Sequence, residues 1–133
     1  MHERHIEQVR RFNRAVTLHI GVLENSYLQR GRPLSEARLL HEVGPNGTDV
    51  RTLRERLNLD SGYLSRLLRS LEAQELIQTA AHSSDARVRR VVLTPQGMTE
   101  RANYEMLSDE LATSFLNPLD PAQRDRLVGA MAR

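Results

Sequence analysis

The 133-residue sequence predicts a mainly α fold with a small β-hairpin, a winged helix-turn-helix carrying N- and C-terminal dimerisation helices. Three observations predict it. Two short helical segments, opened by Asp49 and Asp60, are separated only by the brief turn Asn58-Leu59. After Gln74 the helical spacing of apolar residues gives way to β-favouring runs. Longer helix-periodic stretches flank this unit on both sides. A single domain over 1–133 follows, with a winged lobe at 34–97 and dimerisation helices at 5–30 and 95–133.

The first helix is read over 5–29, where Ile6, Val9, Phe12, Val16, Ile20, Leu23 and Tyr27 recur at steps of three and four. Gly21 inside it costs about 1 kcal/mol relative to alanine, which length and packing can offset. Gly31-Arg32-Pro33 stops it. Ser35 reads as the N-cap of a short helix with Ala37, Leu39 and Leu40 as apolar members, ending at Gly44-Pro45-Asn46-Gly47. Asp49 caps the next helix, whose Val50, Leu53 and Leu57 share a face.

Asp60 caps the helix that runs to Gln74. Its Leu64, Leu67, Leu68 and Leu71 follow the i, i+3, i+4, i+7 pattern and point inward. Leu76–Thr79 and Arg90–Thr94 then flank a polar segment at 82–87, which reads as a hairpin. With no glycine in that segment, the tip is expected to be a loop of several residues. Thr94 caps a helix with Pro95 at its first position, running to about Leu116 through Met98, Ala102, Leu107, Leu111 and Phe115. Pro118 ends it. Asp120-Pro121-Ala122-Gln123 has the capping-box pattern and opens a last helix with Leu127, Val128 and Met131.

Composition narrows the chemistry. The 39% hydrophobic and 27% charged residues suit a globular domain, and no apolar run reaches the roughly 20 residues of a membrane helix. The N-terminus lacks the pattern of a secretory signal, so a cytoplasmic location is expected. With no cysteine, disulfides and zinc–thiolate sites are excluded; His2, His5, His19, His41 and His82 are scattered, and no metal or cofactor is expected. There is no glycine-rich phosphate loop, nucleophile elbow or helical metal-ligand pair, so an enzyme is not expected.

The net charge is only +2, but its distribution is uneven. All 19 basic residues are arginine, and five of them (Arg66, Arg69, Arg87, Arg89, Arg90) fall in the acid-free stretches 61–70 and 86–94. The arginine fork matches phosphates and guanine edges. At 100° per residue, the face of the 60–74 helix opposite its leucines carries Gly62, Ser65, Arg66 and Arg69, flanked by Ser61 and Tyr63. These are the residues an element entering a polyanionic groove needs. Ser61, Gly62, Tyr63, Ser65 and Arg66 are candidates for base contacts, and Arg69 for a phosphate. Tyr63 has a second role open to it, packing against the preceding helix. Arg54 and Arg51 are candidates for backbone phosphates, which position without specifying. Arg87 fits a minor groove or, alternatively, a solvated surface pair. Arg89 and Arg90 alternate along the strand, so at most one of them faces DNA easily.

The stretches DVRTLRERLNLDSGYLSRLLRSLEAQELI and SSDARVRRVVLTPQG resemble the MarR family of bacterial regulators. The phrases L-x-x-x-L-x-L-D, S-R-x-x-x-x-L-E, L-I, D-x-R and L-T-x-x-G stand in that family's order and spacing. HIEQVRRFNRAVTLHIGVLENSYL, LSEARLLHEV and LDSGYLSR are most similar to the MarR-type half of fusions with a GNAT acetyltransferase. No acetyl-CoA-binding segment is read within the 133 residues, so no enzymatic activity is carried over. Asp85-Ala86-Arg87 departs from the family's frequent glycine-bearing tip while keeping its charged pair.

The resemblance implies a homodimer on double-stranded DNA, with a pseudo-palindromic operator and Asp85 holding Arg87 by an ion pair. It also implies a small-molecule effector between the dimerisation helices and the lobe, where Arg14, His19, Tyr27, Arg38 and His41 are candidate lining residues. Control without a ligand fits the sequence equally. A second reading is a protein-interaction module derived from the regulatory half of such a fusion, without DNA reading. A decayed DNA face would have gained acids or lost arginines, and this one has done neither.

Overall fold

The computed structural model describes residues 3–20, 28, 30–82 and 85–132, with the side chains of 19, 20, 81, 82 and 85–88 outside the description. Its helices follow the sequence's capping chemistry. Asp49 accepts a 2.7 Å hydrogen bond from the Thr52 amide and opens a helix at Val50–Leu57. Asn58 then takes left-handed backbone angles (φ 51°), a conformation its short polar side chain tolerates, and the chain turns sharply. Asp60 accepts from the Tyr63 amide and opens the next helix, Ser61–Ala73.

In chain order, α1 is Glu3–Ile20, α2 Leu34–Val43, α3 Val50–Leu57 and α4 Ser61–Ala73. Three strands, β1 (Thr48–Asp49), β2 (Ile77–His82) and β3 (Asp85–Leu93), form an antiparallel sheet in the order β1-β3-β2. Helices α5 (Pro95–Leu116) and α6 (Pro121–Met131) complete the chain. Thr94 accepts from the Gly97 amide to cap α5, and Asp120 and Gln123 exchange both bonds of a capping box at α6.

Three expectations are corrected. Ser35 does not cap α2: Pro33 holds that position without a side-chain bond, and its carbonyl accepts from the Glu36 and Ala37 amides. Proline's fixed φ already starts the turn, so Ser35 falls inside it. The hairpin gains a third strand, because Thr48 and Asp49 pair with Val91 and Arg90. Two residues are too few to show a period of their own, and only their tertiary partner makes them a strand. The tip is also shorter than a loop of several residues. His82 pairs with Asp85, with a register shift at Ala81/His82, so most of 82–87 is strand; residues 83–84 lie outside the description. Ladder bonds are made by the backbone and persist through polar residues.

The core sits beneath the helix-turn-helix. Leu39, Leu40 and Val43 of α2, Leu53 of α3, Leu64, Leu67, Leu68 and Leu71 of α4, Leu76, Ile77 and Val91 of the sheet, and Tyr104 of α5 are buried. All four leucines predicted to point inward from the 60–74 helix do so. The flanking helices contribute little: α6 buries none of its residues, while Ile6, Val9 and Phe12 of α1 and Val128 and Met131 of α6 remain about half exposed or more.

Candidate nucleic-acid interface

Because α4 spends its leucines on the core, its opposite face is presented outward. Ser61, Gly62, Tyr63, Arg66 and Arg69 are exposed and Ser65 is half-buried. Tyr63, 38% exposed, does not bury itself against α3; the guanidinium carbon of Arg66 lies 5.8 Å from its ring centre. That distance suits a cation–π contact, which holds the arginine beside Tyr63 in the first turns of the helix. Arg69 folds back, its Nε donating to the Ser65 carbonyl at 3.4 Å. The first turn of α4 holds no acid beyond its cap, Asp60.

Arg54 and Arg51 lie exposed on α3. The Thr52 amide bonded to Asp49 holds that carboxyl below the ordinary carboxylate range. The two arginines of β3 part company. Both are exposed, but Arg90 is tied down, donating to the Asn46 carbonyl at 2.6 Å. The side chains of Asp85 and Arg87 lie outside the described residues, although both stand on β3.

Of the five candidate effector-lining residues, Arg38 and His41 come together in a cleft of about 460 Å³ between α2 and α5, with Arg101, Tyr104 and Asp109 among its walls. His41 Nδ1 stands 3.5 Å from Glu105, and Arg101 donates to the His41 carbonyl. Arg14 is elsewhere, paired with Glu7 on the exposed face of α1. Tyr27 and the side chain of His19 lie outside the described residues.

A polar cluster escaped the sequence reading. Glu36 on α2 is buried, and it accepts from Ser70 Oγ at 3.1 Å and Gln74 Nε2 at 2.8 Å. Arg30 grips Glu100 of α5 through two bonds of 2.8 and 2.9 Å, and Arg32 reaches the same carboxylate at 3.0 Å. These partners are up to 70 positions apart, and nothing local in the sequence signals them. Bonds from Arg30 hold the Glu100 carboxyl below the ordinary glutamate range, and burial pushes the Tyr104 hydroxyl up.

Residues 30–88, which run through α2, α3, α4 and the start of the wing, match the sequence profile of the MarR family. Over those residues the lobe is similar to the MarR family. Over 83 residues the chain is 28% identical to the HTH-type transcriptional regulator SarZ of Staphylococcus haemolyticus, a stretch covering 62% of this chain and 55% of SarZ. The chain thus spans about half the length of this curated relative. FabT of Streptococcus pneumoniae, in a crystal structure with DNA, superimposes with a TM-score of 0.81 at 14% identity, covering 98% of this chain and 92% of that one. The PcaV transcriptional regulator of Streptomyces coelicolor superimposes at 0.74 and 21% identity, covering 100% and 94%. The fold is therefore that of winged-helix MarR regulators, and the family it matches is one of transcriptional regulators, not enzymes. Among the described residues no helix is long and apolar enough to cross a membrane.

Proposed function

We propose that this chain is a sequence-specific, double-stranded-DNA-binding transcriptional regulator that acts in the cytoplasm as a homodimer on a pseudo-palindromic operator. One observation carries the proposal: the outward face of α4 from Ser61 to Arg69 is free of acids and presents the Tyr63–Arg66 pair at its N-terminal end. In helix-turn-helix proteins that end of the second helix enters the major groove. Ser61, Gly62 and Tyr63 meet base edges or the nearest phosphates, Arg66 reads a guanine or a phosphate, and Arg69, Arg54 and Arg89 take backbone phosphates. On the wing, Asp85 orients Arg87 towards the adjacent minor groove.

The half-exposed apolar residues of α1 and α6 support a second copy as partner, since a two-fold pair places two α4 helices on half-sites about 10 bp apart. The cleft holding Arg38 and His41 is within the size range of small-molecule sites and supports an effector there. The motif order of the N-terminal half supports descent from the regulatory half of an acetyltransferase fusion, and no acetyl transfer is proposed.

Titration of the protein's own upstream region and of a random duplex, each at two salt concentrations, tests the reading. Tight binding that favours the upstream DNA and weakens with salt is expected, because phosphate contacts release counterions. No binding to either duplex at low salt would turn the assignment to a protein-interaction module.

A further inference from the structure

Two separate attachments join the recognition helix to α5. The first is at the start of α5. The Thr94 amide donates to the Leu76 carbonyl at 3.0 Å, and the Thr94 hydroxyl donates to the Glu75 carbonyl at 2.7 Å, just past the end of α4. Gly97 lies so close to Leu76 that a Cβ there would fall 1.9 Å from its carbonyl oxygen. The second attachment is three residues further along α5, about 4.5 Å by helical rise. Glu100 is held by Arg30 and Arg32, Arg32 also donates to the Tyr104 hydroxyl of α5 at 3.5 Å, its Nε donates to Gln74 Oε1 at 3.0 Å, and Gln74 is the C-cap of α4. Gln74 in turn donates to the buried Glu36 of α2.

A single attachment leaves a pivot, whereas two fix a direction. Partly exposed ion pairs add little to stability, yet this one takes an arginine and a glutamate largely out of water. Glu36 also has Ser70 and Gln74 as partners without Arg32, so the Arg32–Glu100 link is not required to satisfy it.

We propose that Arg32 and Glu100 are positioning residues for DNA recognition, a strut that sets the angle between α4 and α5. Resting on the dimeric DNA-binding reading above, this angle fixes the separation of the two α4 helices and so the half-site spacing the dimer accepts. The strut touches no base. Its loss lets the lobe into which α4 is packed tilt against α5 about the Thr94–Gly97 attachment, so spacings one base pair away, about 3.4 Å of duplex, are no longer rejected.

The test uses duplexes carrying the same two half-sites with the spacer native, shortened or lengthened by one base pair, and a fourth with one half-site base changed. Wild type, Arg32→Ala, Arg32→Lys, Glu100→Gln and the Arg32→Ala/Glu100→Gln pair are titrated on each, after circular dichroism shows each variant folded. Expected is a wild-type preference of about tenfold or more for the native spacer, falling to about threefold or less in Arg32→Ala and in Glu100→Gln. The double variant should be no worse than either single one, and Arg32→Lys should recover part of the preference. The penalty for the changed base and the salt slope should stay as in wild type. Unchanged spacing preference, or an equal loss of affinity on all four duplexes, would overturn the proposal. Wild-type protein binding none of them would instead overturn the regulator reading, and this inference with it.

Discussion

The Arg66 guanidinium sits 5.8 Å from the centre of the Tyr63 ring, so the two side chains that project from the first turns of α4 restrain each other. A long arginine held this way loses less rotamer freedom when it meets a nucleic acid.

Their roles separate by substitution. Arg66→Ala should weaken binding to the upstream duplex by about 1–3 kcal/mol and relax discrimination at one base position, if Arg66 reads a base edge. Tyr63→Ala should cost only about 0.5–1 kcal/mol, the worth of an exposed cation–π contact, and Tyr63→Phe should keep most of that. Fluorescence anisotropy on matched and single-base-changed duplexes measures each. An Arg66→Ala protein binding like wild type would remove α4 from the interface.

Gly97 should be intolerant of the smallest side chain. The added carbon would meet a backbone carbonyl, which cannot rotate away, so Gly97→Ala must shift α5 from the sheet. Destabilisation of about 1–3 kcal/mol or more is expected in urea unfolding, with the midpoint lowered and the slope kept. Gly129→Ala, where a Cβ meets nothing within 4 Å, is the matched control and should be neutral or slightly stabilising.

Stability should fall at acidic pH. The folded state holds the carboxyls of Asp49 and Glu100 below their ordinary values of 3.8 and 4.5. A depressed carboxylate contributes stability that is complete above the unfolded value and is lost as pH falls through the folded one. These two groups therefore leave stability flat between about pH 7 and 5.5 and reduce it progressively below about 4.5. Melting curves of Glu100→Gln across this range should show a shallower acid decline than wild type. Identical declines would mean that Glu100 gains nothing from Arg30 and Arg32.

The exposed face of α1 offers a check on assembly. Phe12 is 53% exposed and Val9 59%, and a glutamate at either place should be harmless to the folded lobe. In a dimer built on that face, Phe12→Glu should give a monomeric mass by light scattering at micromolar concentration. DNA affinity should then weaken on the order of 10²-fold, as the second half-site contact is no longer intramolecular. A monomeric wild type would remove the two-fold operator from the proposed function.

Much of the fold was legible because its signals are local. Asp49, Asp60, Thr94 and Asp120 each cap the helix that their position predicts, since a cap needs only the amides two or three residues ahead. The inward leucines of α4 follow from helical period alone, and the outward face that remains is the candidate interface. Ser35 does not cap α2 because local chemistry offers two starts for one helix, and the proline takes it.

What the sequence by itself determined is the set of elements and the chemistry each turns outward: capping, period and turn residues act within a few positions, and they put Tyr63, Arg66 and Arg69 on one exposed face. Only the tertiary structure decided how those elements are held. The two-residue strand at Thr48 exists because Val91 and Arg90 lie beside it, Arg90 and not Arg89 is drawn to Asn46, and Arg30, Arg32, Gln74, Glu36 and Glu100 become partners only once α2, α4 and α5 meet. Such contacts depend on where distant backbone is brought in space, and no spacing along the chain encodes that distance.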